Sequence, residues 1–353
     1  MPSALFGGVA AAILLAGLLL PAPESAHARQ TSILVVSVID SGARYPLVNA
    51  DVIDLGTGQH RLTDERGQVR LTWPNDGELR LRVRQVGYQP RQRTLRQANV
   101  NNGVATFAMS KVVYVISTVK STSRCSTVAD SASRELSMSE LDQLKQAAEK
   151  YDQFRRVYPF EATIERRTAA VEPNGSVKRI VTAKEKFRSE NWELYKPGDN
   201  LDDWGFGNFR MHLLLLSTLG DSVFWEHHCF MARGVESYQG TRVVRLEFSP
   251  TTDVKGPDYE GAALLDSATS YLLRVDFRLA NPDPGFGPKK LNGYITFMSP
   301  SPFVMVPDTT TAIWWVHDSD TTKRKVPDVA QRLHVEEIKY RKATPPGFEK
   351  AKQ

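Results

Sequence analysis

The chain has 353 residues, 24% charged and 41% hydrophobic, with 23 Gly, 20 Pro and 2 Cys. That length fits two domains more easily than one, and the composition excludes long disorder, collagen and coiled-coil arrays. The formal net charge of +5 is too even for a histone-like tail but permits an anionic partner.

Ala4 to Leu20 is an apolar run of 17 residues, broken by Pro21 and Pro23. Ala26-His27-Ala28 follows with the small-x-small pattern that signal peptidase reads. We read residues 1–28 as a cleaved signal peptide, with a retained helix anchor as the competing reading. The segment before the run has no Lys or Arg, and no Cys follows it, so a lipobox is absent. Cleavage would leave 325 residues at a net charge of +6 and no later run long enough to span a bilayer. Export places the chain in a periplasm or on an outer membrane and makes nucleic acid an improbable partner. In an oxidising compartment Cys125 and Cys229 are expected to pair; two free thiols are the alternative. Closing a loop of that size would contribute about 4–5 kcal/mol in the chain-entropy model.

Residues 29–120 read as a β-sandwich. Ile33 to Ile39 is a β-branched run ending at Asp40-Ser41-Gly42. Asn49 to Leu55 alternates, Thr63 to Gly67 is a turn, and Gln68 to Thr72 resumes the strand pattern. Leu79 to Arg84 alternates strictly, with an arginine at every second position. Short strands with a turn signal every eight to twelve residues point to a sandwich. Pro46 to Val52, Thr63-Asp-Glu-Arg-Gly67 and Val86-Gly87-Tyr88-Gln89-Pro90 resemble, in order and spacing, the carboxypeptidase regulatory-like domain. That resemblance implies a transthyretin-like seven-stranded sandwich and no peptidase activity of its own, since the module is attached to many exported proteins.

Residues 121–135 are rich in Ser and Thr and read as a linker. Residues 136–342 read as an α+β domain with a large curved antiparallel sheet and about two helices. Ser137-x-x-Glu140 is a capping box opening a helix to about Asp152, with Leu141, Leu144, Ala148 and Tyr151 on one face. Tyr158–Val171 and Val177–Ser189 flank the turn Glu172-Pro-Asn-Gly-Ser176, predicting a hairpin. Asn208 to Leu219 is expected to be a leucine-rich helix closed by Gly220. Strands are expected at 241–248, 261–265, 271–279, 291–298, 310–317 and 332–341, and residues 343–353 form a tail. Leu214 to Leu219, Phe224 to Phe230 and Gly261 to Arg274 resemble a group of exported bacterial proteins in which a regulatory-like sandwich precedes a sheet-rich domain. The Gly261–Arg274 hairpin also resembles the curved sheets of lipoprotein carriers, which implies a half-barrel.

A zinc carboxypeptidase needs His-x-x-Glu and a distant downstream His. His334-Val-Glu-Glu337 has the spacing, but no His follows it, and on a regular strand i and i+3 point to opposite faces. His227-His228-Cys229 with Glu226 offers adjacent ligands that diverge, so we read a disulfide flanked by surface histidines. No Gly-x-Ser-x-Gly elbow or phosphate-cradling loop occurs. We therefore expect no catalytic set, metal or cofactor. Arg80, Arg82, Arg84, Arg91, Arg93 and Arg96 are expected to make a basic face, either solvated or binding an anionic surface. Trp314 and Trp315 are adjacent on a strand, so one should face out as part of an apolar patch. The expected function is an exported, non-enzymatic envelope protein that binds a lipid, glycan or protein, with an apolar or glycan ligand in the sheet domain. A hydrolase whose residues assemble only in space and a purely structural or adhesion module are the alternatives.

Overall fold

The computed structural model describes residues 32–113, 131–190, 195–205, 208–212, 214–316 and 326–348, giving only the backbone course of 131–140 and 201–211. The chain divides into Met1–Ser32 and Ile33–Gln353. The expected signal peptide, Cys125 and the end of the tail lie outside the described residues.

The second unit is mostly β, as the sequence pattern predicts. Seven short strands form two facing sheets. One holds β1 (Ile33–Asp40), β4 (Gln68–Thr72) and β7 (Val104–Met109), in the order β4-β1-β7. The other holds β2 (Asp51–Asp54), β3 (Gln59–Leu62), β5 (Glu78–Arg84) and β6 (Arg91–Arg96), in the order β3-β2-β5-β6. Alternate residues of β1 (Leu34, Val36, Val38) and β5 (Leu79, Leu81, Val83) fill the space between them with Phe107 and Met109. Gly67 holds φ at +66° in the turn, where a Cβ would sit 2.6 Å from the Val38 carbonyl oxygen, so only glycine fits.

Helix α1 (Ser131–Val157) follows, then β8 (Phe160–Val171), β9 (Val177–Arg188), β10 (Leu201–Gly205) and β11 (Asn208–Met211). The short helix α2 (Ser222–Glu226) is capped by the Asp221 carboxylate on the Val223 N–H. After it come β12 (His228–Tyr238), β13 (Thr241–Pro250), β14 (Asp258–Asp266), β15 (Leu272–Ala280), β16 (Lys290–Ser301), β17 (Val304–Trp315) and β18 (Val329–Tyr340). Nine strands make one antiparallel sheet, β12-β13-β14-β15-β16-β17-β18-β8-β9. Leu144, Phe154 and Phe224, from α1 and α2, are buried with Val244, Leu246, Val275 and Ile295 of its inner face in one core cluster.

Three expectations change. The helix begins at Ser131, inside the expected linker, and runs past Asp152 to Val157; Pro159 disfavours further helix at the residue before it. The expected leucine-rich helix is absent: Asn208–Met211 pairs with β10, and Thr218–Gly220 is a single 3₁₀ turn. An unbroken run of leucines has no polar face to give a helix a solvent side. Leu214, Leu216 and Leu219 instead join the core cluster that α1 also enters. β12, which the sequence reading passed over, forms one edge of the large sheet.

Candidate functional site

Helix α1 joins the two halves of the fold. Leu144, Ala148, Tyr151 and Phe154 enter the core of the large sheet, while Gln143, Glu149, Lys150 and Gln153 meet the sandwich. The Gln143 Oε1 accepts from the Gly87 N–H at 2.7 Å. The Lys150 Nζ donates to the Asn49 carbonyl at 2.6 Å and to the Gln85 Oε1. Arg84 reaches the Asp51 Oδ2 at 2.8 Å and the Glu149 Oε2 at 2.7 Å. Gln153 donates to Asp51 at 3.1 Å and lies 2.8 Å from the His60 Nδ1.

Burial opposes the Asp51 charge, but His60 and Arg84 outweigh it and hold this carboxyl below the usual carboxylate range. Further round the seam, the Asn49 Nδ2 donates to the Ser301 Oγ and the Pro302 carbonyl at 2.8 and 2.9 Å. The Tyr88 and Phe303 rings meet edge-on at 6.2 Å. Gly87, at φ +83°, passes the β14–β15 turn so closely that a Cβ would lie 2.6 Å from the Thr269 carbonyl oxygen. We expect Gly87→Ala to cost about 1–3 kcal/mol through positive-φ strain and that clash, read as a lower urea midpoint.

A cleft of about 760 Å³ opens at this seam. Ile53, His60 and Leu62 of the sandwich, Glu149, Gln153 and Arg156 of α1, and Ser217 and Asp221 before α2 line it. Its charges are largely matched: Arg84 holds Asp51 and Glu149, and Asp152 holds Arg155 and Arg156. His60 is engaged by Asp51 and Gln153, and among the described residues no nucleophile sits against it. The arrangement suits binding in a pocket with apolar walls and a few polar groups.

The residues singled out from the sequence are dispersed. The six arginines do not share one face. Register pairs Leu81 with Arg93 and Val83 with Arg91, so these two point to the sandwich side of the sheet. Arg93 donates to the Thr106 carbonyl and lies over the Phe107 ring at 5.4 Å. Arg80, Arg82, Arg84 and Arg96 point the other way, where Arg84 is locked in its ion pairs and Arg96 meets Glu78. Nor do the tryptophans form an exposed patch. Trp314 packs half-buried against the core cluster, and Trp315 is buried under the Lys290 ammonium, 4.7 Å from its ring.

Two histidines sit differently from expectation. His228 is buried, its ring nitrogens 3.0 and 2.9 Å from the Phe224 and Tyr259 carbonyl oxygens and its face stacked on Phe224. Burial pulls this imidazole below its ordinary pKa, while Asp258 and the two carbonyls oppose the shift. A β-bulge between Val335 and Glu337 cancels the alternation assumed for His334 and Glu337. Both therefore share the outer face of β18, yet among the described residues no three His, Cys, Asp or Glu side chains converge on a metal position. His334 does lie 3.0 Å from the Thr309 Oγ1, with Asp308 adjacent. This is not a charge-relay triad: Asp308 accepts the Thr309 hydroxyl itself, and the same His334 Nδ1 faces both groups. Cys229, half-buried on β12, is described, but its expected partner is not. Sequence reasoning missed the seam altogether, although the polar Gln143, Gln146, Lys150 and Gln153 stripe on α1 was a signal for it.

The N-terminal sheets and the turn motifs between them carry the family signature. Residues 37–119 match the CarboxypepD_reg-like domain. This sandwich is the module that supplies Ile53, His60 and Arg84 to the cleft. No curated protein matches the sequence. Among solved structures, a domain named for outer membrane lipoprotein sorting from Vibrio parahaemolyticus is 15% identical, covers 59% of this chain and 95% of its own, and has a TM-score of 0.30. A DUF1329 family protein from Desulfovibrio piger is 10% identical, over 58% of this chain and 94% of its own, with a TM-score of 0.32. A LolA superfamily protein from Nitrosomonas europaea is 12% identical, over 59% and 94%, with a TM-score of 0.30. Among the described residues no helix is long and apolar enough to cross a membrane.

Proposed function

We propose that the chain is an exported, non-enzymatic binding module of a bacterial cell envelope, whose ligand is a small glycan seated between the CarboxypepD_reg-like sandwich and α1. The observation that carries this reading is the 760 Å³ cleft at a seam tied by side chains from three directions. Its lining mixes donors and acceptors with short apolar walls, and its charges are largely spent on one another, which favours a neutral polar ligand over a strong ion. Sites between domains are common places for such ligands. A second reading, an acyl chain on the inner face of the large sheet, draws on Ile164, Trp314 and Val335, which stay half-buried beside the core cluster. The same proposal includes export through residues 1–28 and a Cys125–Cys229 disulfide.

The test is native mass spectrometry of the chain purified gently from a bacterial periplasm. A bound glycan mass supports the cleft reading, and a lipid mass moves the ligand to the sheet. A bare chain that no glycan of a screening panel shifts in melting temperature removes the small-ligand function. The denatured mass should begin at Arg29 and lie two units below the reduced mass. Free thiols in the exported chain would refute the pairing.

A further inference from the structure

The large sheet has two edges, and they are treated differently. β12 is blunted by a register shift between Ala232 and Val235, with Gly234 at φ +99° and Arg233 turned onto Glu247. β9 runs without a break: Arg179 to Arg188 pair residue for residue with Ala170 to Glu161. Beyond β9 no strand follows among the described residues, so its outer N–H and C=O groups form an open ladder. The strand is exposed almost throughout. It leaves Val177, Ile180 and Val181 at 55, 64 and 45% exposure, unusual for aliphatic side chains so close together.

The two faces of β9 specify what would fit beside it. Register places Lys184, Lys186 and Arg188 on the outer face, opposite Glu165, Thr163 and Glu161 of β8. Val181, Ala183 and Phe187 lie on the inner face, with Glu185 between them held by Arg166, while Ile180 shares the outer face with the cations. The cations meet Glu336 and Glu161 only as exposed ion pairs, which are weak and exchangeable.

We propose that β9 is a docking edge for an extended acidic segment of a partner protein, which adds a tenth strand to the sheet. Main-chain hydrogen bonds would supply the pairing, acidic residues at every second position would meet Lys184, Lys186 and Arg188, and aliphatic residues between them would cover Val181 and Phe187. A second copy of this chain does not fit, because β9 against β9 would set lysine against lysine. A membrane surface does not fit either, because it offers the open ladder no partner along the strand.

The probe is a fluorescent ten-residue peptide in which Glu alternates with Val and Thr, titrated against the full exported chain, with a Lys-for-Glu peptide as control. We expect the Glu peptide to bind, at least tenfold more weakly when salt rises from 50 to 300 mM. Binding should slow hydrogen exchange at β9 amides and not at β12. The double variant Lys184→Glu/Lys186→Glu, exposed on the surface and harmless to the core, should prefer the Lys peptide by at least tenfold. The proposal is overturned if neither peptide binds, if the double variant keeps the wild-type preference, or if protection appears elsewhere. Dimerisation through β9, or charge-dependent binding to phosphatidylglycerol vesicles without peptide binding, would also overturn it.

Discussion

Replacing Asp258 with Ala is expected to lower the unfolding free energy by about 3–5 kcal/mol. The carboxylate is fully buried on β14. Its Oδ2 accepts from the Tyr195 hydroxyl at 2.5 Å and the Gly198 N–H at 3.1 Å. Its Oδ1 accepts from the Asn200 Nδ2 at 3.1 Å and the Tyr259 N–H at 2.7 Å, with the His228 Nε2 3.7 Å away. Truncation removes the carboxylate that four donors share, leaving the Asn200 amide only the Pro257 carbonyl, and charge-assisted hydrogen bonds are about twice as strong as neutral ones. The loop that carries Tyr195, Gly198 and Asn200 holds its place through these bonds. Asp258→Asn should fall nearly as far, because the new amide nitrogen would face two donors while its oxygen keeps the other two. Urea unfolding, with midpoint and slope both measured, decides the matter: Asp258→Asn within about 1 kcal/mol of the parent would show that the site needs shape rather than charge.

The sandwich was legible because its information is local. Strict alternation in Leu79–Arg84, the glycine-centred turn at Thr63–Gly67 and the Val86–Pro90 turn each need only a few neighbouring residues to be read. The hairpin about Glu172–Ser176 is equally local, and it put β8 and β9 within a residue or two of their observed bounds. Failures came where distant chain decides. Gln153 and Arg155 look like the end of an amphipathic helix, but Asp51 and the Ser189 carbonyl give them partners that keep α1 going. Leucines 214, 216 and 219 resemble a helix by composition, and a core wider than one element claims them in loop conformations. The single extra residue at the β18 bulge turns Glu337 to the His334 face, and nothing in His334–Glu337 announces it. The arginines of β5 and β6 are alike in sequence; only the register with β2 and the arrival of α1 separate the ion-paired Arg84 from the exposed Arg80. The candidate cleft is made of such long-range meetings, so none of it could be assembled from spacing alone.

The same seam makes the stability of the fold depend on pH through Lys150. Its ammonium position is fully buried between α1 and the sandwich, and burial pushes its pKa down to about 7 from 10.5, with Asp51 opposing the shift and Arg84 adding to it. In the unfolded chain the lysine keeps its proton up to its ordinary pKa. Between about pH 7 and 10.5 the unfolded state therefore binds more protons than the folded one, and stability contributed through this group rises with pH. Below pH 7 both states are protonated and the cost of burying the charge is paid in full. The whole swing is about 5 kcal/mol at most. Lys150→Met keeps the length of the side chain and removes the proton, but leaves the Asn49 carbonyl and the Gln85 Oε1 without this donor. The variant should thus be less stable than the parent at pH 9.5 by about 1–3 kcal/mol, with the gap closing or reversing toward pH 6.5. Urea unfolding of both proteins at pH 6.5, 8 and 9.5 isolates the lysine, since every other titrating group is common to the pair. A difference that stays constant across that range would mean that the folded chain takes up the proton as readily as the unfolded one, and that the seam is wet enough to carry an ordinary ammonium.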